Sequence, residues 1–82
     1  MSRLDKWLVH ARFCRTRAVA QAAAAGRVRL NGRRVEKPAQ MVKPGDILTL
    51  GRGAEVMAVR VLTLAERRGS ATEAAGLYEI IE

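Results

Sequence analysis

Residues 16–35, TRAVAQAAAAGRVRLNGRRV, decide the fold, because one unbroken run carries a helix start, a helix stop and a hairpin. Thr16 is an N-cap residue, and a helix is expected from it to about Ala25, with Val19, Ala22 and Ala23 as its packing face. So much alanine lets another backbone approach closely. Gly26 follows as the expected C-terminal stop. Val28 and Leu30 then alternate with Arg27 and Arg29 up to Asn31-Gly32, the pair a type I′ turn demands because both central residues take positive φ. In the two-residue register Val28 faces Val35 and Arg29 faces Arg34. One face of the hairpin is apolar apart from Arg33, and the other is cationic. Like charges facing each other across paired strands destabilise a sheet. The hairpin therefore calls for an anion from outside itself.

Upstream, Arg3 to Phe13 is helical in pattern. Leu4, Trp7, Leu8 and Ala11 form one apolar stripe at helical spacing, while Arg3, Lys6 and His10 share a neighbouring face suited to phosphate. Nothing in the sequence supplies His10 with a partner base, nucleophile or metal ligand. A short break at Cys14-Arg15 leads into Thr16. Arg15 and Arg17 thus flank a helix N-terminus, whose free N–H groups and macrodipole already favour an anion. Gln21, one turn after Arg17, is expected to look outward with it.

Downstream, the chain reads as scaffold. Pro38 breaks the strand, Met41-Val42 returns the chain to the core, and Lys43-Pro44-Gly45-Asp46 has the Pro-Gly of a type II turn. Ile47 to Leu50 is expected as a strand, Gly51-Arg52-Gly53 as a turn, and Val56 to Leu64 as a longer strand rich in β-branched residues. Arg67-Arg68-Gly69 ends the sheet. Ser70-Ala71-Thr72-Glu73 has capping-box spacing, which predicts a short terminal helix from Ala71 to about Ile80, with Gly76 the weak point of its interior.

The chain has 82 residues, near the size at which a single core is only just large enough to fold alone. Its net charge of +7 is unevenly placed: residues 1–34 hold nine basic side chains against Asp5 alone, and residues 35–82 hold six against seven acids. Arginine outnumbers lysine twelve to three, and its planar fork suits bidentate contact with phosphate and stacking on bases. Solubility needs neither bias. Nucleic acid is the polyanion that fits, ahead of an anionic membrane. The longest apolar runs, Ala22 to Ala25 and Val56 to Val59, are far too short to span a bilayer, and the N-terminus shows no apolar run followed by a cleavage site. Cys14 alone builds no internal disulfide, which fits a reducing, cytoplasmic setting. It reads as a small core residue, although Arg12 and Arg15 beside it could lower its pKa.

No nucleophile elbow, Walker loop, paired-cysteine motif or HExxH occurs, and one His with one Cys cannot make a zinc site. The expected protein is a binder, with no catalytic residue, no metal ligand and no cofactor.

Three pieces in order, RLDKWL at 3–8, TRAVAQAAAAGRVRLNGRRV at 16–35 and VKPGDILTL at 42–50, resemble the S-four RNA-binding domain. The resemblance covers almost the whole chain. Within that superfamily, RLDKWL and the ending ERRGSATEAAGLYE look most like the bacterial fifteen-kilodalton heat-shock group, with features shared with short relatives that stabilise peptidyl-tRNA in ribosome quality control. The resemblance implies an α+β fold of the S-four, or alpha-L, kind: two N-terminal helices packed on a small, bent antiparallel sheet, with RNA across the helix–helix–hairpin surface. It implies one domain over residues 1–82, divided into an RNA-facing part over about 3–35, a β scaffold over about 36–66 and a terminal segment 67–82. Carried over position by position, the RNA-facing candidates are Arg3 and Lys6, then Arg15, Thr16 and Arg17, then Arg27, Asn31, Gly32, Arg33 and Arg34. Arg12, Gln21 and Arg29 complete the set by their place beside these. Asp5 is expected to be structural, pairing with a nearby arginine. Trp7 is aromatic enough for base stacking, but its place on the apolar stripe assigns it to the core.

The role this resemblance implies is association with the large ribosomal subunit when it carries a nascent chain on tRNA, in rescue or quality control. Expected partners are large-subunit rRNA and tRNA or peptidyl-tRNA, read mainly by shape and backbone, by a monomer with no membrane partner. Two other readings stay open: an RNA-targeting module of a modifying enzyme such as a pseudouridine synthase, against which the Met1 start argues, and a general DNA-binding protein. The heat-shock group continues into a long basic helical tail, whereas this chain stops at Ile80-Ile81-Glu82. That departure implies either the short quality-control type or a weaker binder lacking the tail's contacts.

Overall fold

The helix and hairpin of residues 16–35 form where their caps and turn residues put them. In the computed structural model, which describes residues 2–52 and 54–81, β1 (Ser2–Arg3) leads into α1 (Leu4–His10), and α2 (Arg17–Ala24) leads into the hairpin of β2 (Val28–Leu30) and β3 (Arg33–Arg34). β4 (Met41–Val42), β5 (Ile47–Arg52), β6 (Glu55–Val61), α3 (Ala71–Ala75) and β7 (Tyr78–Ile81) follow. β1 pairs with β4, and the remaining strands make a five-stranded antiparallel sheet in the order β3-β2-β5-β6-β7. Met1, Gly53 and Glu82 lie outside the described residues, and with them the start at Met1, the end of the expected Gly51-Arg52-Gly53 turn and the last acid of the chain. Gly51 and Arg52 continue β5.

The apolar stripe of α1 is the centre of the core. Leu4, Trp7, Leu8 and Ala11 are all buried, and they meet Val28, Leu48, Val59 and Val61 on the inner face of the sheet. Burying each large side chain of this kind contributes about 1.5–3 kcal/mol. The Trp7 indole N–H donates to the Thr63 carbonyl at 3.2 Å, so the one polar group of that ring is satisfied inside. Trp7 is core, as its position on the stripe requires.

β5 extends through Arg52, β6 runs over Glu55–Val61 and stops short of the expected Leu64, and three further elements differ from the sequence-based expectation. α1 stops at His10 rather than Phe13, because Arg12 turns to φ 65°, a left-handed conformation, and the Phe13 and Cys14 N–H groups fold back onto the Leu8 carbonyl. The left-handed residue costs about 1–2 kcal/mol. It swings the Phe13 ring between Trp7 and Tyr78, with centroid distances of 5.9 and 4.6 Å. The packing face of α2 is Ala20 and Ala24, with Ala23 half-buried, while Val19 and Ala22 are exposed. Alanine at 20 and 24 is small enough to bring α2 against α1, and that roll of the helix points Arg17 and Gln21 at the same neighbour. Finally, the terminal helix ends at Ala75, and Tyr78–Ile81 pairs with β6 as an edge strand. Gly76 stops the helix, and the YEII run that follows suits a strand.

The turns follow their chemistry. Asn31 and Gly32 have φ of 51° and 86°, both positive as a type I′ turn requires, and Arg29 pairs with Arg34 in the expected register. Gly45 has φ 96° behind Pro44, and the Asp46 N–H donates to the Lys43 carbonyl at 3.1 Å, which makes the type II turn. Gly26 keeps no left-handed φ. A Cβ there would lie 3.4 Å from Nη2 of Arg34, an ordinary contact.

Candidate nucleic-acid interface

Asp5 is fully buried at the start of α1 and holds together what the sequence presented as separate surface groups. Its carboxylate accepts from Nε and Nη2 of Arg3 at 3.1 and 3.0 Å, from Nη2 of Arg17 at 3.3 Å, from Nε2 of Gln21 at 3.3 Å and from the Lys6 backbone N–H at 2.8 Å. Burial by itself would raise the Asp5 carboxyl. The hydrogen bonds from Arg3, Gln21, the Lys6 backbone and Arg17 outweigh it and hold the group below its ordinary value. Asp5 is thus structural, as expected, and it pairs with two arginines rather than one. Arg3 and Arg17 remain partly exposed, so each guanidinium is anchored by one edge while its other edge reaches solvent. Thr16 caps α2 beside them, its hydroxyl accepting from the Val19 N–H at 3.2 Å, and Arg15 and Lys6 are exposed next to this corner in the chain.

The segment between β3 and β4 joins this corner to the hairpin. The Pro38 and Gln40 carbonyls accept from the Asp5 and Leu4 N–H groups at 3.3 and 2.8 Å. Gln40 also lines a groove with Leu30, Asn31, Arg33, Arg34 and Val35. A second buried acid fixes the hairpin tip. Asp46 accepts from the Lys43 backbone N–H at 2.9 Å, from Nζ of Lys43 at 3.1 Å and from Nδ2 of Asn31 at 3.2 Å, while Oδ1 of Asn31 accepts from the Ile47 N–H at 2.8 Å. Burial would raise Asp46 too, and these donors bring it below its ordinary value. The Asn31 side chain is therefore engaged within the protein, where it ties the hairpin tip to Asp46 and Ile47.

The structure brings Arg3, Arg17 and Gln21 into one cluster, and Arg29, Arg33 and Arg34 onto the hairpin beside Gly32. Arg33 lies opposite Leu30, and Arg34 opposite Arg29, so the arginines point to different faces of the ribbon. Arg27 is exposed where α2 runs into β2. Arg12 stands apart: its Nη1 donates to the Gly69 carbonyl at 2.8 Å, tying the end of α1 to the C-terminal segment. Sequence reasoning gave no functional place to Asp46 or Gln40, since each acts through partners distant in the chain. Their signal was weak but present, because an acid closing a Pro-Gly turn next to a strand needs donors.

Burial pushes the Cys14 thiol up, away from the reactive thiolate that Arg12 and Arg15 could have favoured. Among the described residues no group of three His, Cys, Asp or Glu could hold a metal ion, and no helix is long and apolar enough to cross a membrane.

Comparison with known proteins gives a consistent picture. Residues 2–48 match the S4 domain. The chain is 46% identical over 78 residues to heat shock protein 15 of Escherichia coli, a match covering 94% of this chain and 58% of that protein. It therefore spans little more than half the length of that relative. It is 37% identical over 81 residues to the RQC P-site tRNA stabilizing factor of Bacillus subtilis, covering 98% of this chain and 92% of that protein. Among solved structures, the trimeric structure of Vibrio cholerae heat shock protein 15 superposes with a TM-score of 0.90 at 38% identity, over 96% of this chain and 80% of that one.

Proposed function

Because the chain belongs to the S4 domain family, we propose that it binds structured RNA through the helix–hairpin surface and acts on the large ribosomal subunit while that subunit holds peptidyl-tRNA. The carrying observation is the Asp5 cluster. A buried carboxylate holds Arg3, Arg17 and Gln21 in place before any ligand arrives, which lowers the entropy lost on binding. The guanidinium edges that Asp5 leaves to solvent, together with Arg33 across the Pro38–Gln40 segment, offer a basic surface to an RNA backbone. The relative whose name specifies a P-site tRNA covers nearly all of this chain's length, which supports tRNA as one of the contacts. On this reading residues 1–82 work as one RNA-binding domain without catalysis; Lys6, Arg12, Arg15, Thr16, Arg27, Asn31 and Gly32 serve this surface directly or by positioning it, and Arg29 and Arg34 carry positive charge on the other face of the hairpin.

Sedimentation of tagged protein from cell lysate through a sucrose gradient, with sequencing of the co-purified RNA, tests this. The expected result is enrichment on free large subunits together with tRNA. Protein at the top of the gradient, or on assorted RNA, overturns the ribosomal role. Equal affinity for duplex DNA and rRNA would favour a general DNA-binding protein instead.

A further inference from the structure

The cationic face of the hairpin holds a groove that the helix corner does not use. Register places Arg34 opposite Arg29, Arg29 opposite Thr49 and Thr49 opposite Ala58 in one row across the sheet. Val28, Leu48, Leu50 and Val59 face the core with α1 and α2, so this row lies on the other side of the sheet. Gly51 and Val56, paired two positions along, share that side. With Gly26 and Arg27 they line a single groove whose lining includes no acid.

The charges in this groove are uncompensated. Among the described residues neither Arg29 nor Arg34 has a carboxylate within ion-pair distance, whereas Arg60, on the same side of the sheet, is paired with Glu79. Two guanidiniums on directly opposed strand positions repel each other. The Arg34 side chain also reaches over Gly26, with Nη2 3.4 Å from where a Cβ would stand. Next in the row comes the Thr49 hydroxyl, and Val56, 71% exposed, forms an apolar rim. Two cations, a hydroxyl and an apolar ledge match, in that order, a phosphate, a ribose and the face of a base.

We propose that this groove is a second RNA contact that takes a single-stranded ribonucleotide segment, with phosphate between Arg29 and Arg34, ribose at Thr49 and a base over Val56. The proposal rests on the RNA-binding reading above but concerns the opposite side of the sheet from the Asp5 corner. A duplex would present phosphates and 2′-hydroxyls here but no base face, because its bases are stacked on one another; an unpaired nucleotide can lay its face on Val56. The protein then grips two separate stretches of RNA on either side of the edge strand β3.

Fluorescence anisotropy with labelled oligouridine, alongside co-sedimentation with purified large subunits, tests this. Val56→Glu sets a carboxylate in the groove at an exposed position and removes no core contact; Arg29→Ala removes one cation; thermal melting checks that both are folded. Each is expected to weaken oligouridine binding by about tenfold, and Arg29→Ala to lower the salt slope by about one. Arg17→Ala should release the protein from subunits and weaken oligouridine binding less than Arg29→Ala does. Unchanged oligouridine binding by Val56→Glu and Arg29→Ala, with Arg17→Ala still defective on subunits, overturns the groove and leaves the RNA-binding reading standing. No effect from any of the three overturns both. Oligodeoxyuridine bound as tightly as oligouridine overturns the assignment of ribose to Thr49.

Discussion

Arg17, the first residue of α2, donates to the buried carboxylate of Asp5, the second residue of α1, at 3.3 Å. This bond ties α2 to α1 and fixes the direction of a side chain on the proposed RNA surface, so the scaffold and that surface share one acid. Asp5→Ala leaves the donors of Arg3, Gln21 and the Lys6 backbone without their acceptor, and it should cost about 2 kcal/mol in urea unfolding. Arg17→Ala should cost less than about 1 kcal/mol, because its guanidinium is half exposed and Asp5 keeps its other donors. In RNA binding the two substitutions should not add, since Asp5 acts through Arg17; additive losses in a double-mutant cycle would show that they act separately.

Acid should weaken the fold through Asp5 and Asp46. Burial raises both carboxyls, hydrogen bonds lower them further than burial raises them, and the folded values lie below the ordinary one. The unfolded chain therefore binds more protons than the folded chain over this range. The stability these acids supply is full above the unfolded carboxylate pKa, about 4, and is lost as pH falls through the depressed folded values. Urea midpoints measured at successive pH values should fall in that window. Asp46→Asn should start lower at neutral pH and decline less steeply, having lost one of the two groups.

The hairpin turn gives two costs of different origin. Gly32→Ala meets no neighbouring atom, so its penalty is the left-handed backbone alone, about 1–2 kcal/mol. Asn31→Ala adds the loss of the bonds to Asp46 and Ile47 and should cost more, about 2–4 kcal/mol. Thermal denaturation of the two variants checks the order. If Gly32→Ala proved the more damaging, the Asn31–Asp46 bond would not be holding the tip.

Trp7 should report folding and ignore RNA. Its ring is fully buried and its N–H is bonded to the Thr63 carbonyl. Trp7→Phe should lower the melting temperature while the folded variant keeps its affinity for large subunits. Tryptophan emission that shifted on RNA binding would contradict the assignment of this ring to the core.

The sequence by itself determined what depends on neighbours in the chain. The Thr16 cap, the Asn31-Gly32 turn with its Arg29–Arg34 register, the Pro44-Gly45 turn and the stripe of Leu4, Trp7, Leu8 and Ala11 follow from local dihedral preference and from the helical and strand periods. The cationic first half of the chain was equally plain. Only the tertiary structure decided which face of α2 is buried, because Val19 is the more apolar side chain and yet the helix turns Ala20, Ala24, Arg17 and Gln21 toward α1. The reason is close approach. Alanine brings the helices near enough for Asp5 to draw in two side chains that propensity would have left in water. The same holds for Tyr78–Ile81, made a strand by the open edge of β6, for Asn31, taken inward by an acid fifteen residues on, and for Arg12, claimed by Gly69. Each was settled by a partner far away in sequence, which no local period or propensity encodes.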